Sequence, residues 1–464
     1  MSHIKGGSIQ RLLARRWPLV LVASLAVFTV ACSDGSAQVD VGDGDGNGDL
    51  TNGAVFAMSN ARDSNEVVAY SRAEDGSLTQ VGLFPTGGTG SGSFEDTSNG
   101  LVLGTAAGEI APNNLLEPSG DQQFLFATNA GSNNITVFRV NAGGLQTVAT
   151  EDSGGEKPVS ITVNSGVVYV LNSGEMNDSL FDGNGNVIPN CTTGLTPTIT
   201  GFTLAGDGTL TPIPGSERDL SGEQISGCAQ VSFTPDGERL VVTERLAQPD
   251  ALNQQTSDNE RLDDEGVIIT FAVNADGSLD NQQIIDATGQ GPFGFTFAKN
   301  GNLFTTEQFD GPAGPGRGAT TSYVPGTASD QPLLRAAPSI RNGGTDTCWV
   351  VVTDDQTLGF TTSFFADGRL SSYAIDDIGI TRLIRRVATG EDAQNDDVDM
   401  GASDLALSRD SAYLYQLNSV NGTINAWRNN GDGSLELIEQ KTPFPQVEFG
   451  PGGGEAGPIG LSAS

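Results

Sequence analysis

Histidine is almost missing from this chain: the single copy is His3, close to the N-terminus. Its absence elsewhere removes Ser-His-Asp and Cys-His nucleophile systems and all His-ligated metal sites from the body of the protein. Positive charge is scarce as well, with 23 Lys and Arg against 57 Asp and Glu. Four of the cations (Lys5, Arg11, Arg15 and Arg16) lie in the first 32 residues, so the remainder carries 19 against 57, a net charge of −38. The only lysines beyond that point are Lys157, Lys299 and Lys441. Such a surface repels a phosphate backbone, which excludes nucleic acid as a partner and disfavours phosphorylated sugars. No apolar run after the N-terminal region is long enough for a membrane span.

The N-terminal region reads as a targeting segment. Its four cations precede the apolar stretch WPLVLVASLAVFTVA, and Thr29-Val30-Ala31-Cys32 fits a bacterial lipoprotein cleavage site. The expectation is a signal peptide over 1–31, with Cys32 lipidated as the first mature residue. The segment and Cys32 imply export and lipid anchoring in the cell envelope, and Ser33 rather than Asp after the Cys points to the outer membrane if the cell is Gram-negative. Residues 32–52 are Gly- and Asp-rich. Asp43, Asp45, Asn47 and Gly48 imitate the opening of a calcium loop, but Ala54 stands where a bidentate Glu is needed, so a flexible tether is the reading. The lipid is the only expected contact with a membrane.

What is abundant is one turn. TFAVNADGSL (270–279) returns as AYSRAEDGSL (69–78), GFTLAGDGTL (201–210) and AWRNNGDGSL (426–435), with weaker copies VFRVNAGGL (137–145) and SYAIDDIGI (372–380). An alternating run, Asp-Gly, and another alternating run is a hairpin whose turn needs a positive φ. The anchors Leu78, Leu145, Leu210, Leu279, Ile380 and Leu435 are 67, 65, 69, 101 and 55 residues apart, and the wide gap has room for one more copy near TSYVPGTASDQPLL (321–334). A second phrase, strand–turn–strand, precedes the hairpins, as in VSITVNSGVVYVLN (159–172), AQVSFTPDGERLVVTE (229–244) and FGFTFAKNGNLFTTE (293–307). Four-strand units that recur in this way predict an all-β, seven-bladed β-propeller of antiparallel blades over 53–464. The unit starting at Ala54 lacks a first strand. GPIGLSAS (457–464) matches GPFGFTFA (291–298), so the C-terminal strand is expected to close the ring.

Connections in such units alternate between two faces. The long ones (85–112, 173–196, 246–265, 308–318, 388–401 and 442–456) fall on one face, which is therefore the expected functional face. Second strands end there at Asn60, Asn129, Asn172, Glu244, Glu307, Ser363 and Asn418. Glu244 and Glu307 break the Asn pattern in adjacent units and become candidate catalytic carboxylates, read as solvated rim groups unless they act as acid and base or bind a cation. Arg245 is a candidate ion partner for Glu244. First strands put Asn113, Ser160, Gln230, Gly294, Trp349, Asp404 and Gly460 at one level around a central channel, where a polar, water-facing ring is expected. Asp404 is its only ionisable member and the third catalytic candidate. With Cys32 lipidated, Cys191 and Cys228 are expected to form a disulfide between neighbouring units, with Cys348 as a buried thiol in CWVVV.

The phrases CWVVVTDDQTLGFTTS (348–363), GPFGFTFA, CAQVSFTPDGERLVVTE (228–244), DLALSRDSAYLYQLNS (404–419) and the DGSL turns resemble the lactonase-type seven-bladed propeller family, which includes 6-phosphogluconolactonases and 3-carboxymuconate lactonising enzymes. The resemblance covers 53–464 and implies that fold. Enzymes of the family carry His in the first-strand motif. Here those positions hold Ser, Gln, Gly, Trp or Asp, so no catalytic residue carries over. Two functions follow as expectations. One is a monomeric, surface-anchored binding module for a protein, glycan or small lactone. The other is a His-independent lactone hydrolase using Glu244, Glu307 or Asp404, assisted by Ca²⁺ or another divalent cation.

Overall fold

A computed structural model describes residues 48–51, 53–92, 97–110, 122–175, 194–223, 226–245, 266–309, 314–365, 369–389, 401–445 and 457–464. The targeting segment, Cys32, Cys191, Asn113 and most of the long connections lie outside these residues.

The described chain is all-β, with antiparallel pairing throughout, one short 3-10 turn at Lys299–Gly301 and no α-helix among the described residues. Most sheets are rows of four strands. Cys228–Phe233, Arg239–Glu244, Val267–Val273 and Leu279–Asp286 form one row; Thr345–Val352, Leu358–Phe365, Leu370–Ile375 and Thr381–Arg385 form another; Ala402–Leu407, Tyr413–Asn418, Thr423–Asn429 and Leu435–Lys441 a third. In the row from Pro292–Phe297 the fourth position is split between Leu334–Arg335 and Ile340–Arg341, which both pair with Ala319–Val324. A ten-stranded sheet holds two further rows, joined where Gly108–Glu109 pairs with both Leu101–Thr105 and Pro158–Asn164. Leu461–Ala463 pairs antiparallel with Ala54–Met58, Leu461 opposite Ala57, and supplies the inner strand of the first row from the other end of the chain.

Burial explains the pattern in the sequence. Inner strands such as Cys228–Phe233 and Ala402–Leu407 are buried at every residue, because neighbours cover both faces. Outer strands alternate, and in Leu279–Asp286 only Leu279 is fully buried. Continuous apolar or small runs therefore mark the centre of the molecule and alternating runs its margin. One expectation needs correcting. The inner strand of the second row is Leu101–Thr105, so Asn113 is no part of it; the phrase LVLGTAAGEI folds as strand, turn and a two-residue strand instead.

The recurring turn has a local cause. In the copy at 73–77, Gly76 N–H donates to Ala73 O at 3.0 Å and Ala73 N–H to Ser77 O at 2.9 Å. The Asp75 carboxylate then accepts Ser77 N–H (3.0 Å) and Ser77 O–H (2.6 Å), which leaves Gly76 at φ 88°. Asp207 with Thr209, Asp276 with Ser278 and Asp432 with Ser434 repeat the bond to the amide two residues on. These bonds favour the ionised form and hold all four Asp side chains below the ordinary carboxylate range.

The turns also connect one row to the next. Tyr169 O–H donates to Gly277 O at 2.7 Å, and Tyr415 O–H to Gly76 O at 3.0 Å, each hydroxyl crossing between rows. A Cβ at Gly76 would overlap the Tyr413 ring, so the neighbouring row requires glycine there as much as the turn does. Tyr413, Tyr415, Ile424, Leu461, Val55, Tyr70 and Leu78 share one apolar cluster, which packs the last row against the first.

Tyr415→Phe removes one buried hydroxyl and should lower unfolding free energy by about 1 kcal/mol. Gly76→Ala, which adds both strain and overlap, should lower it by more, roughly 2–4 kcal/mol. Urea denaturation of both variants checks the order; an Ala variant as stable as wild type would show that the turn does not pack as described.

Candidate functional site

The second strands end in buried polar side chains, and several of them bind the segment that enters the inner strand beside them. Asn129 accepts from Thr86 O–H (2.7 Å) and Asn65 Nδ2 (2.9 Å), and donates to Asn134 Oδ1 and Thr136 Oγ1. Asn172 donates to Ser153 O at 3.3 Å. Glu244 occupies the equivalent position. Its carboxylate accepts Ser221 N–H at 3.0 Å and Ser226 O–H. Glu307 accepts from Thr321 O–H and from Ser339 O–H at 2.6 Å, and a Cβ at Gly289 would overlap its carboxylate. Both Glu side chains are 0% exposed. This corrects their reading as solvated rim groups. They are interior pins that hold an incoming loop, doing with a carboxylate what Asn129 does with an amide. Burial pushes Glu244 up to about 7, and Glu307 is raised for the same reason, with the hydroxyl bonds opposing the shift.

A repeated signal in the sequence marks these loops: Thr86-Gly87, Ser153-Gly154, Ser221-Gly222, Thr288-Gly289 and Asn342-Gly343, each just after an outer strand. A small hydroxyl or amide followed by glycine lets the chain pass close to the strand-end side chain and bond to it. That repeat, read beside the Asn and Glu positions, would have identified the pins.

Asp404 is different. It lies on the inner strand Ala402–Leu407, and its carboxylate accepts Leu405 N–H and Leu461 N–H, both at 2.8 Å. Burial holds it at about 7. Other residues of the expected ring make the same kind of bond. Ser160 Oγ accepts Val231 N–H (3.1 Å), while Gln230 accepts Phe295 N–H and donates to Phe295 O, both at 2.8 Å. Trp349 Nε1 donates to Thr97 O at 3.1 Å. The ring is therefore a set of links between inner strands and only secondarily a wall for water.

Within the inner strands lies a cavity of about 140 Å³, lined by Glu109, Gln230, Ser232, Trp349, Asp404 and Ser462 among others. Glu109 was not singled out from the sequence. Thr162 O–H donates to it at 2.5 Å, and burial raises it to about 7. Glu109 and Asp404 are the pair of cavity-lining acids able to carry a proton near neutrality. The volume is well below the roughly 300 Å³ at which small-molecule pockets begin. The three candidates from the sequence do not converge: among the described residues, Glu244, Glu307 and Asp404 share no hydrogen-bond partner. Arg245 donates from Nε to Gly227 O at 2.9 Å and stacks over Phe293 at 5.5 Å.

Cys228 corrects a further expectation. It is a buried thiol, not half of a bridge to Cys191. As the first residue of an inner strand it sits with Val159, Leu171, Leu220 and Val231 in an apolar cluster, where burial raises its pKa well above the ordinary thiol value. Cys348 is also a buried thiol, as expected. Among the described residues no group of three or more His, Cys, Asp or Glu is placed to hold a metal ion.

No family model and no curated protein matches the chain. Solved structures do. A structure provisionally described as a 6-phosphogluconolactonase from Bacteroides uniformis aligns over 89% of this chain and 99% of its own at 14% identity, TM-score 0.57. The Pseudomonas aeruginosa periplasmic gluconolactonase aligns over 89% and 98% at 13% identity, TM-score 0.56. A hypothetical selenium-binding protein from Sulfolobus tokodaii aligns over 90% and 94% at 12% identity, TM-score 0.57. At these identities the likeness shows the fold alone, that of lactonase-type β-propeller proteins.

The raised carboxyls fix the sign of a pH effect. Unfolded, Glu109, Glu244 and Asp404 titrate near ~4; folded, they titrate at about 7. Their contribution is full below the unfolded value and declines as pH rises to 7, because the unfolded chain releases protons that the folded chain keeps. Melting temperature should therefore fall from pH 5 to pH 7.5, and the Glu244→Gln, Asp404→Asn double variant should flatten the slope. An identical slope in the variant would show that neither group titrates abnormally.

Proposed function

We propose that this chain is an exported, lipid-anchored seven-bladed propeller that acts as a binding module through its loop-bearing face. The observation that carries this reading is the occupation of the acids. The only histidine is His3, and the three carboxylates that the sequence offers for hydrolysis, Glu244, Glu307 and Asp404, all accept hydrogen bonds that hold strands and loops together. The four-stranded rows, the pairing of Leu461–Ala463 with Ala54–Met58 and the Tyr415–Gly76 bond support seven blades closed by the C-terminal strand. The basic and apolar segment ending at Cys32 supports export and lipid attachment, in the outer membrane if the cell is Gram-negative. The protein acts as a monomer, and its ligand is a protein, a glycan or a small lactone.

A second reading has specific support. Glu109 and Asp404, held near 7 in one cavity, are the acid and base that a His-independent lactone hydrolase would use, with or without a divalent cation. Two of the structural neighbours described above are named as lactonases, one of them provisionally.

Incubating the mature chain with a lactone panel, with EDTA or with Ca²⁺, separates the two. Binding seen as thermal stabilisation, with no turnover above the spontaneous rate, supports the module. Turnover that is lost in Glu109→Gln and Asp404→Asn while Glu244→Gln retains it would replace that reading with the hydrolase. In cells, Cys32→Ser should block incorporation of labelled palmitate and release the protein from the membrane fraction.

A further inference from the structure

The segment 97–100, which leads into the inner strand Leu101–Thr105, bonds to four rows. Thr97 O accepts Trp349 Nε1–H at 3.1 Å, Ser98 N–H donates to Ala229 O at 2.9 Å, Asn99 O accepts Ile161 N–H at 2.9 Å, and Gly100 O accepts Thr128 N–H at 3.0 Å. Trp349, Ala229 and Ile161 lie on the inner strands Thr345–Val352, Cys228–Phe233 and Pro158–Asn164, and Thr128 on the second strand Phe124–Asn129. In chain order a whole row, that of Pro292–Phe297, separates the strands of Ala229 and Trp349. Four consecutive residues, with the Trp349 indole reaching towards them, bond to both only by lying across the space that the inner strands enclose. Asn99 makes the turn this path needs, at φ 62°, a conformation that asparagine tolerates.

The cavity that holds Glu109 and Asp404 lies beneath this strap. Ser98, Asn99 and Trp349 line it at the end where the inner strands begin, and the Trp349 ring meets Phe293 edge-on at 5.0 Å. Exposure then grows along the inner strands toward the other end, where they turn back. Gln230 is 3% exposed and Ser232 8%, Asp404 5% and Ala406 8%, Ser160 0% and Asn164 7%. Buried Trp349 is followed by the partly exposed Val351, and buried Gly294 by the partly exposed Thr296. Residues two or four apart on a strand face the same way, so the trend is one of depth. Glu109, partly exposed, lies at the far end: its neighbour Gly108 stands opposite Asn164, the last residue of its strand. Asp404 lies at the closed end, level with Gln230 and Trp349.

We infer that the cavity of Glu109 and Asp404 is entered from the face of the short turns, past Glu109, and that the segment 97–100 and Trp349 seal it from the loop-bearing face. At about 140 Å³ it has room for a single molecule of about benzene's size. Glu109, Ser232, Gln230 and Asp404 line it, so its occupant is a small polar solute. The inference goes beyond both readings of function: a ligand held on the loop-bearing face stops at the strap, and a lactone that meets Glu109 and Asp404 arrives from the opposite side.

Thiol labelling of the whole mature chain tests this, with Cys32 and Cys191 replaced by serine and the buried Cys228 and Cys348 as background. Methyl methanethiosulfonate, whose size matches the cavity, is the small probe, and a polyethylene-glycol maleimide the large one. Thr296→Cys and Ser232→Cys should react with the small probe roughly tenfold faster than Gln230→Cys, and none of the three with the large one. Val351→Phe, which fills the open half, should slow the labelling of Gln230→Cys roughly tenfold. Ser98→Pro, which removes the N–H bonded to Ala229, should raise it by a similar factor. If Gln230→Cys does not fold, Ser160→Cys, a one-atom change at the same level, takes its place. A loop-side thiol that reacts as fast as Thr296→Cys, or that ignores Val351→Phe, would overturn the entry route. A rate unchanged by Ser98→Pro would overturn the seal, and labelling of Thr296→Cys by the large probe the size limit. No labelling at any position would show that the cavity admits no solute and overturn the inference outright. The lactone and palmitate experiments read none of these rates, so a failure here leaves both readings of function where they stand.

Discussion

A row of strands that ends at an inner strand leaves that strand with one unpaired edge, and burying such an edge without partners is costly. The rest of this structure depends on how that edge is satisfied. Side chains of one inner strand bond to the backbone of another: Asp404 to Leu461, Ser462 to Leu103, Ser160 to Val231, Thr162 to Phe233, and Gln230 to both polar groups of Phe295. A hydroxyl, a carboxylate or a carboxamide serves equally, because each offers an acceptor at the end of a short side chain. That is why the level contains such varied residues in the sequence. Asp404 and Ser462 bring residues from opposite ends of the chain into this series.

The same economy governs the acids. The protein has 57 of them, and the structure divides them by what surrounds them. In the exposed turns, Asp75, Asp207, Asp276 and Asp432 accept bonds from the residue two positions on and remain readily ionised. In the interior, Glu109, Glu244 and Asp404 meet too little water to stabilise a charge and hold protons up to about 7. The acidic surface sets solubility and repulsion of anions, whereas the few buried carboxyls join loops and strands.

Repetition separates what the fold explains from what it does not. Where all units obey one rule, a residue is explained by the fold. Glu244 and Glu307 look exceptional in a list of strand-end residues, yet their contacts match those of Asn129 and Asn172, so they follow the rule after all.

Local chemistry was legible from the sequence alone. The Asp-Gly-Ser turn forms because donor and acceptor are two residues apart, the outer strands alternate because one side meets water, and the near-absence of His excludes whole classes of catalysis wherever the chain goes. The match of GPIGLSAS to GPFGFTFA likewise identified two inner strands, since both need the same run of small and apolar residues. Only tertiary structure decided that Glu244 and Glu307 are buried, that Cys228 is a thiol, that Leu101–Thr105 forms an inner strand, and that Glu109 lines the cavity with Asp404. The reason is physical: burial, protonation and pairing depend on groups far away in the chain, as with Asp404 and Leu461, 57 residues apart, or Ser462 and Leu103, 359 apart, and no local pattern encodes which distant backbone will arrive.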